Sequence, residues 1–554
     1  MTKLLNNLIS KKHLTRELLS IVALLLLMTL TSKALFAPGF FRTIDDVTTV
    51  RIDQMARELS RPRLLDNFPV RLLGELAHGF GYPLFVFYAP LPYYVGAVSI
   101  FFLGLNPIIA TKLVYVLPVF FGALFFFLVA RQKMNLSASV LATTLFLVFP
   151  YRSYNMYVRG GVGESWAIGF IPLVFLGISL LKKTKIAGSI IMAIGIFSVI
   201  ISHNLVAIQL LVLLVCYGVI FHLKQIKYWT SVLLGFGLAA FYVIPMVSYL
   251  TIIRVLTTSP NSGKIISTLE PINHIFKSTY PFISGTKYSA IFTYLLFISL
   301  FFLLIRNKKS ISSAIKNELI FWLSSSFFLI FLLIQSSMFL WVISLPITQI
   351  LQFSWRVLSL LSFVIPFTIG LVFNHISRTF ARVLLFVIAF FSIIYLTPTF
   401  EPEKYSFFYE YHAEDTGVCA TTTWEDEYLP KTVADCASNP RPFIEAGDTL
   451  LKIDTESPNF ISGRSESVEP VRIQINKYLF PGWTALVDGK STRLEPSEIV
   501  SGTASFIVPS GTHEFEVKYS KTKLMMLADI TSLSSLIIIS FLLTQVILKS
   551  LKRK

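Results

Sequence analysis

The sequence predicts an all-α polytopic membrane bundle of about 12–14 spans joined to a small β-sandwich-like domain outside the membrane. Three observations predict it. The chain is 54% hydrophobic and only 14% charged, against about 25% charged residues in soluble chains. Apolar runs of about 20 residues, the length that crosses about 30 Å of hydrocarbon, recur along it. One long polar stretch, 399–525, interrupts them late in the chain and carries the alternation and turn signals of strands.

Thirteen apolar segments lie near 18–37, 84–104, 107–130, 136–150, 165–181, 186–202, 204–223, 230–250, 286–305, 319–338, 356–374, 379–398 and 526–548. The first follows Lys3, Lys11, Lys12 and Arg16 and has no small-residue cleavage site, so it reads as a span with a cytoplasmic N-terminus. The net charge of +17 resides largely in short loops: Lys182, Lys183 and Lys185; Lys224 and Lys227; Arg306, Lys308, Lys309 and Lys316; and the tail Lys549, Lys552, Arg553 and Lys554. That is the positive-inside pattern of cytoplasmic loops, and it accounts for the charge without a nucleic-acid partner. From Arg131 onward the alternation puts 151–164, 251–285, 339–355 and 399–525 outside. The loop 38–83 belongs outside too, so 84–130 must cross an odd number of times although it holds two apolar segments. Either 84–104 is re-entrant, or Arg131 and Lys133 break the rule. The expected organisation is a transmembrane domain at 1–398 with the external loop 38–83, an external domain at 399–525 that is β-rich over 450–520, and a final span with a basic cytoplasmic tail at 526–554.

Within the external piece, 401–445 is polar, with Trp424 and the acidic run Glu425–Glu427. Strands are expected at Val471–Ile475, Thr484–Val487, Ala504–Val508 and His513–Tyr519. Pro481-Gly482 marks a turn, and Asp488-Gly489 is a strong hairpin signal. Trp483, at a strand start, is expected to fill the core of that domain. Cys216 falls in a span, whereas Cys419 and Cys436 share the external segment, where a disulfide and two free thiols are equally compatible with the sequence.

Residues suited to chemistry gather on the external side. Asp45 and Asp46 follow the first span directly. A carboxylate there can act as general base on an acceptor at the bilayer face, or simply cap the helix that starts near Val47. Residues 47–59 have the pattern of an amphipathic helix lying on the membrane, with Val50, Ile52, Met55, Ala56 and Leu59 on one side. In the aromatic stretch Gly79–Tyr94, Tyr82, Phe87 and Tyr88 can stack on sugar rings, or form an ordinary interfacial belt. Arg71, Arg159 and Arg356 offer planar forks for a phosphate; an Arg159–Glu164 structural pair and snorkelling arginines are the plainer readings. His203-Asn204 is a polar break between two spans. No HExxH, Walker A or strand-to-helix GxGxxG motif occurs, which counts against an ATP-driven pump or a Rossmann nucleotide-sugar enzyme.

These residues carry a resemblance. Asp45-Asp46, Pro69-Val70-Arg71, the run Gly79–Leu91, Arg159-Gly160 with Glu164, Ser202–Asn204, Gln352–Arg356 and Glu427–Pro430 resemble motifs of bacterial membrane proteins labelled 6-pyruvoyl-tetrahydropterin synthase-related, and more broadly GT-C-type membrane glycosyltransferases. Ser354 departs from the Pro of the related QFPWR motif. The C-terminal PGW and VDGK segments resemble the terminal β-domain of another GT-C-like family linked to envelope polymers. The pteridine label carries no chemistry here, since no three-His zinc cluster is visible. The resemblance implies transfer of a sugar from a polyprenyl-phosphate donor to an envelope lipid, polymer or protein on the outer face, with inversion. It implies Asp45 or Asp46 as base, Arg71, Arg159 and Arg356 on the donor phosphate, and a substrate groove of Tyr82, Phe87, Tyr88, Glu164 and His203. It names no metal ligand and leaves dependence on a divalent metal open. The alternatives are a transporter or flippase of lipid-linked precursors, which would favour internal repeats and mid-span charges, and a non-catalytic envelope scaffold.

Overall fold

The computed structural model describes residues 11–44, 47–255, 264–273, 293–298, 313–375, 383, 387, 390, 394, 400–402, 407–408, 419–423, 426–437, 439–447 and 449–551. Asp45, Asp46, Trp424, Glu425, most of the apolar segment at 286–305 and nearly all of that at 379–398 lie outside the described residues. The chain is a mostly helical membrane protein with a C-terminal domain of antiparallel sheets. Seven helices among the described residues are long and apolar enough to cross a membrane: Pro107–Lys133, Val162–Leu181, Lys185–Ser202, Asn204–Phe221, Ser313–Phe331, Ser354–His375 and Lys523–Lys549. Two further pairs, Leu136–Leu147 with Pro150–Arg159 and Ile226–Leu238 with Ala240–Ile252, are bent by 42° and 69° and would bring the number to nine.

Local signals set these helices. Asn106 and Asn135 cap their helices, their side-chain oxygens accepting the amides of Ile109 (2.8 Å) and Ala138 (3.0 Å). Arg131 and Lys133 end Pro107–Lys133 where the helix dipole favours positive charge. Close packing in the bundle rests on small residues. A Cβ on Gly177 would stand 2.3 Å from the backbone nitrogen of Met192, and one on Gly195 would stand 2.8 Å from that of Val174. Helices Val162–Leu181 and Lys185–Ser202 therefore touch backbone to backbone.

The segment at 84–104 is not a full span. It forms the short turn Leu84–Phe87 and the helix Leu91–Leu103, which ends at left-handed Gly104. Thirteen helical residues reach about 20 Å, short of the hydrocarbon thickness. Among the described residues of 84–130, Pro107–Lys133 alone has the length and composition of a span. Helix Thr48–Leu59 forms as expected and packs into the protein. Its polar side is buried as well, at Arg51, Gln54 and Glu58, and Ile52 fits against Gly96, where a Cβ would stand 2.7 Å away.

The two ends of the bundle differ. At one end, Arg131 pairs with Glu17 (2.9 Å), Lys133 with Glu318 (2.9 Å), and Lys183 donates to Gln132 (3.0 Å). At the other end sit the first loop, the helix bends and the sheets. There β1 (Phe40–Phe41) pairs with β2 (Phe407–Phe408). The C-terminal sheets comprise β3 (Ile444–Glu445), β4 (Leu451–Ser457), β5 (Phe460–Ser467), β6 (Val471–Ile475), β7 (Trp483–Val487), β8 (Lys490–Thr492), β9 (Glu495–Pro496), β10 (Ala504–Val508) and β11 (Gly511–Tyr519). Their orders are β3-β6-β10-β9 and β4-β5-β11-β7-β8. Asp488 and Gly489, both at positive φ, turn β7 into β8. Trp483 is buried against Phe443 and Tyr519, at ring separations of 5.8 and 5.6 Å.

This domain docks on the first loop. Asn459 donates to Glu58 (2.8 Å), and Lys477 donates to the Gly79 carbonyl while its amine lies 4.5 Å from the Phe443 ring. Cys419 and Cys436 form a disulfide, with Cα atoms 5.5 Å apart.

Candidate active site

The geometry of this end begins with a break in a helix. Leu136–Leu147 stops before Phe149-Pro150, and the chain continues through Pro150–Ser153 into a π-helical turn, Tyr154–Arg159. Such turns are rare and often mark functional positions. Gly160, at φ 79°, reverses the chain into helix Val162–Leu181. That reversal brings Arg159 back onto Glu164.

Glu164 is buried, 1% exposed, in the first turn of its helix. It accepts hydrogen bonds from Tyr151 (2.8 Å), from Ser359 and from Arg159. The Arg159 guanidinium lies 4.9 Å from the Trp355 ring. Ser359 stands one helical turn after Arg356 and also donates to its carbonyl (2.8 Å), so the Gln352–Arg356 motif and Glu164 meet. Arg356 donates to the Leu351 carbonyl (3.2 Å) and lies 5.5 Å from the Phe353 ring and 5.9 Å from that of Trp355. Its Nε is buried without a hydrogen-bond partner. Glu164 lies within its electrostatic reach, without a direct salt bridge. A buried guanidinium without a direct carboxylate partner is costly to hold, and a further anion would stabilise it.

The Ser354 departure has a physical account. Its amide donates to Thr268 Oγ1 (3.0 Å) and its hydroxyl to the Thr268 carbonyl (2.8 Å). A Pro there would lack that N–H. The bend is made instead at Gln352, which sits at φ 62°.

His203 closes the other side. A Cβ on Gly163 would stand 2.6 Å from the Ser202 carbonyl and 3.7 Å from His203 Cδ2, so the first turn bearing Glu164 rests directly on the Ser202–Asn204 break. The His203 Nδ1 accepts the Val206 amide (3.3 Å), as an N-cap does.

Arg51 is a member of this site that the sequence reading passed over. It is buried, donating to Tyr93 (3.1 Å), Thr422 Oγ1 (3.1 Å) and the Thr422 carbonyl. Its guanidinium lies 4.2 Å from the Tyr88 ring, and Tyr88 is in turn within electrostatic reach of Arg356. Tyr88 thus interacts with two buried arginines. No sequence signal singles Arg51 out, because it falls on the polar side of a helix with the periodicity of a surface helix.

Other predicted site residues are engaged elsewhere. Arg71 pairs with Asp529 of the last helix and donates to the Phe241 carbonyl (3.1 Å), which Pro245, having no N–H to give it, leaves open. Tyr82 bonds Thr423 (2.5 Å) and the Glu427 carbonyl. Phe87 packs on Tyr428 (5.4 Å) and on Phe480 of the C-terminal domain (6.0 Å). Asp45 and Asp46 are outside the described residues, but their described neighbours are informative. The Ile44 amide donates to the Val158 carbonyl (2.9 Å), and the Val47 carbonyl accepts the Arg51 amide (3.1 Å). As for metals, the one group of three ligand-type side chains among the described residues is Cys419, Asp426 and Cys436, and its sulfurs are bonded to each other.

Residues 85–402 match the profile of a family described as a 6-pyruvoyl-tetrahydropterin synthase related domain, membrane protein. No curated protein matches the chain by sequence. Among solved structures, the fold is similar to the cryo-EM structure of the arabinofuranosyltransferase AftD from Mycobacteria, at 14% identity and TM-score 0.46, covering 69% of this chain and 27% of that one. A mutant of the same enzyme gives the same score and 28% coverage. This chain therefore corresponds to about a quarter of AftD. With the family profile covering more than half of its length, the chain belongs to the 6-pyruvoyl-tetrahydropterin synthase related family of membrane proteins.

Proposed function

We propose that this protein is a membrane glycosyltransferase of GT-C type, moving a sugar from a polyprenyl-phosphate donor to an envelope lipid, polymer or protein. One observation carries the reading: the buried arginines Arg159 and Arg356 gather on the single carboxylate Glu164, and Arg51 lies against Tyr88 nearby, with Nε of Arg356 lacking a hydrogen-bond partner. Glu164 is ion-paired with Arg159 and acts at longer range on Arg356, so one carboxylate answers more than one buried guanidinium, and a phosphate supplies the remaining negative charge.

In this reading the acceptor hydroxyl loses its proton to Asp45 or Asp46. The hydroxyl oxygen bonds to the anomeric carbon as the bond from that carbon to the phosphate oxygen breaks on the opposite face, giving inversion. The electron pair leaves with the lipid phosphate, whose growing charge is held by Arg356 and Arg51. The described residues on either side of this pair in the chain are Ile44, whose amide donates to Val158, and Val47, at the start of the helix that carries Arg51. Trp355, Phe353, Tyr154 and Tyr88 offer faces for the sugar.

The site end is assigned to the outer face, with both termini cytoplasmic. Two observations support this: the basic loops gather at the opposite end of the bundle, and the disulfide at the site end fits an oxidising compartment. A transporter reading fits less well, because the charged cluster lies at one end of the bundle and not along a path through it. The test is to incubate the purified full chain with a panel of polyprenyl-phosphate sugars and measure release of polyprenyl phosphate. Release with at least one donor, lost in Arg356→Met, supports the assignment. No release from any donor, with intact donor binding and every acceptor class supplied, points to the scaffold.

A further inference from the structure

Arg152 is a buried charge that the proposed chemistry does not use. It stands at the break between Leu136–Leu147 and the π-helical turn, next to Tyr151, which holds Glu164. The residue is 7% exposed, and its guanidinium lies 4.2 Å from the Phe146 ring. A Cβ on Gly122 would stand 3.3 Å from its Nη1, so one side is closed by bare helix backbone. That Nη1 is buried with no hydrogen-bond partner, and no carboxylate pairs with Arg152 among the described residues.

The guanidinium borders a cavity lined also by Thr31, Met156, Ser165 and Phe400, with a volume of about 10 Å³. That is room for one guest of roughly water size. A water would answer the N–H groups but not the charge, and a charge this buried is expensive to leave uncompensated. A phosphate or carboxylate ligand is too large. The hydroxyls of Thr31 and Ser165 now donate to their own helix carbonyls, Met28 and Gly161, each at 3.1 Å. A hydroxyl proton rotates freely enough to turn toward a guest.

We infer that this cavity is a binding site for a single monatomic anion, chloride under physiological conditions, held by Arg152 and steadied by Thr31 and Ser165. The anion neutralises the bend that presents Tyr151 and Arg159 to Glu164, so its loss loosens the site from behind. This inference does not rest on the glycosyltransferase reading.

The experiment uses the purified full chain in detergent at fixed ionic strength, with sodium chloride or bromide exchanged for sodium gluconate. The expected result is a saturable rise in Tm of roughly 2 °C or more with either halide, and no such response in Arg152→Met. A halide response of equal size in Arg152→Met, or no halide-specific response in the wild type, overturns the assignment. Should Arg152→Met fail to fold, bromide anomalous scattering from wild-type crystals decides: a peak beside Arg152 supports the site, and ordered water alone there rejects it.

Discussion

Replacing Glu164 with Gln removes the carboxylate inside the arginine cluster while keeping its size. The carboxylate is 1% exposed and accepts from Arg159, Tyr151 and Ser359 together. A Gln keeps one acceptor oxygen but turns an NH2 group toward one of three donors, and it strands the Arg159 charge. Breaking a buried pair from one side costs about 3–5 kcal/mol. Removing both partners leaves no stranded charge, so Glu164→Gln with Arg159→Met should cost about 2–3 kcal/mol less than the two single changes summed. The assay is a double-mutant cycle on the full chain in bicelles, with unfolding followed by steric trapping. Each 1.4 kcal/mol is a tenfold change in the unfolding constant, so the coupling is readable. Additive effects would refute the reasoning, since they would mean that Glu164 and Arg159 do not hold each other's charge.

Three further outcomes are expected. Trp483→Ala should destabilise the C-terminal sheets by about 3–5 kcal/mol, read as faster protease cleavage within 449–520; unchanged cleavage would place the ring outside the core. Cys419→Ser or added reductant should free the 17-residue loop that holds Arg51 through Thr422, costing about 3 kcal/mol and lowering turnover, and full activity under reductant would show that the clasp does not matter. Burial pushes the Lys477 amine from 10.5 down to about 7. Between those values the folded chain binds fewer protons than the unfolded one, so docking of the C-terminal domain should strengthen as pH rises from 7 to 10.5, by at most about 1.4 kcal/mol per unit. Below pH 7 this contribution is flat. Lys477→Met should abolish the slope in a cleavage assay, and a slope that persists would assign it to other groups.

The features readable in the sequence were those that local chemistry decides. Asp488-Gly489 turns a hairpin because its backbone needs positive φ at both positions, and Trp483 is buried because a large aromatic at a strand start has a small sandwich to fill. Arg159, Glu164, His203 and Arg356 were legible as charges and breaks at the ends of apolar runs, and the fold brings all of them into one cluster. What the sequence could not convey was partnership over distance. Arg71 looked as free as Arg356, but Asp529, 458 residues later, takes it. Arg51 was hidden for the opposite reason: its helix has the periodicity of a surface helix, and only the packing of Thr422, Tyr88 and Tyr93 around it shows that the polar side is buried too. The segment at 84–104 was apolar enough to span, but the Pro-rich start and Gly104 limit its helix to Leu91–Leu103.

The central claim is that Asp45 or Asp46 deprotonates an acceptor beside this cluster. The most direct measurement is single-turnover release of polyprenyl phosphate by the purified full chain, comparing wild type with Asp45→Asn and Asp46→Asn on the same donor and acceptor. The account predicts that one of the two loses turnover by about 10²-fold or more while donor binding and Tm stay at wild-type values. If both Asn variants transfer sugar at the wild-type rate, the pair only caps the helix that follows, and the base lies elsewhere.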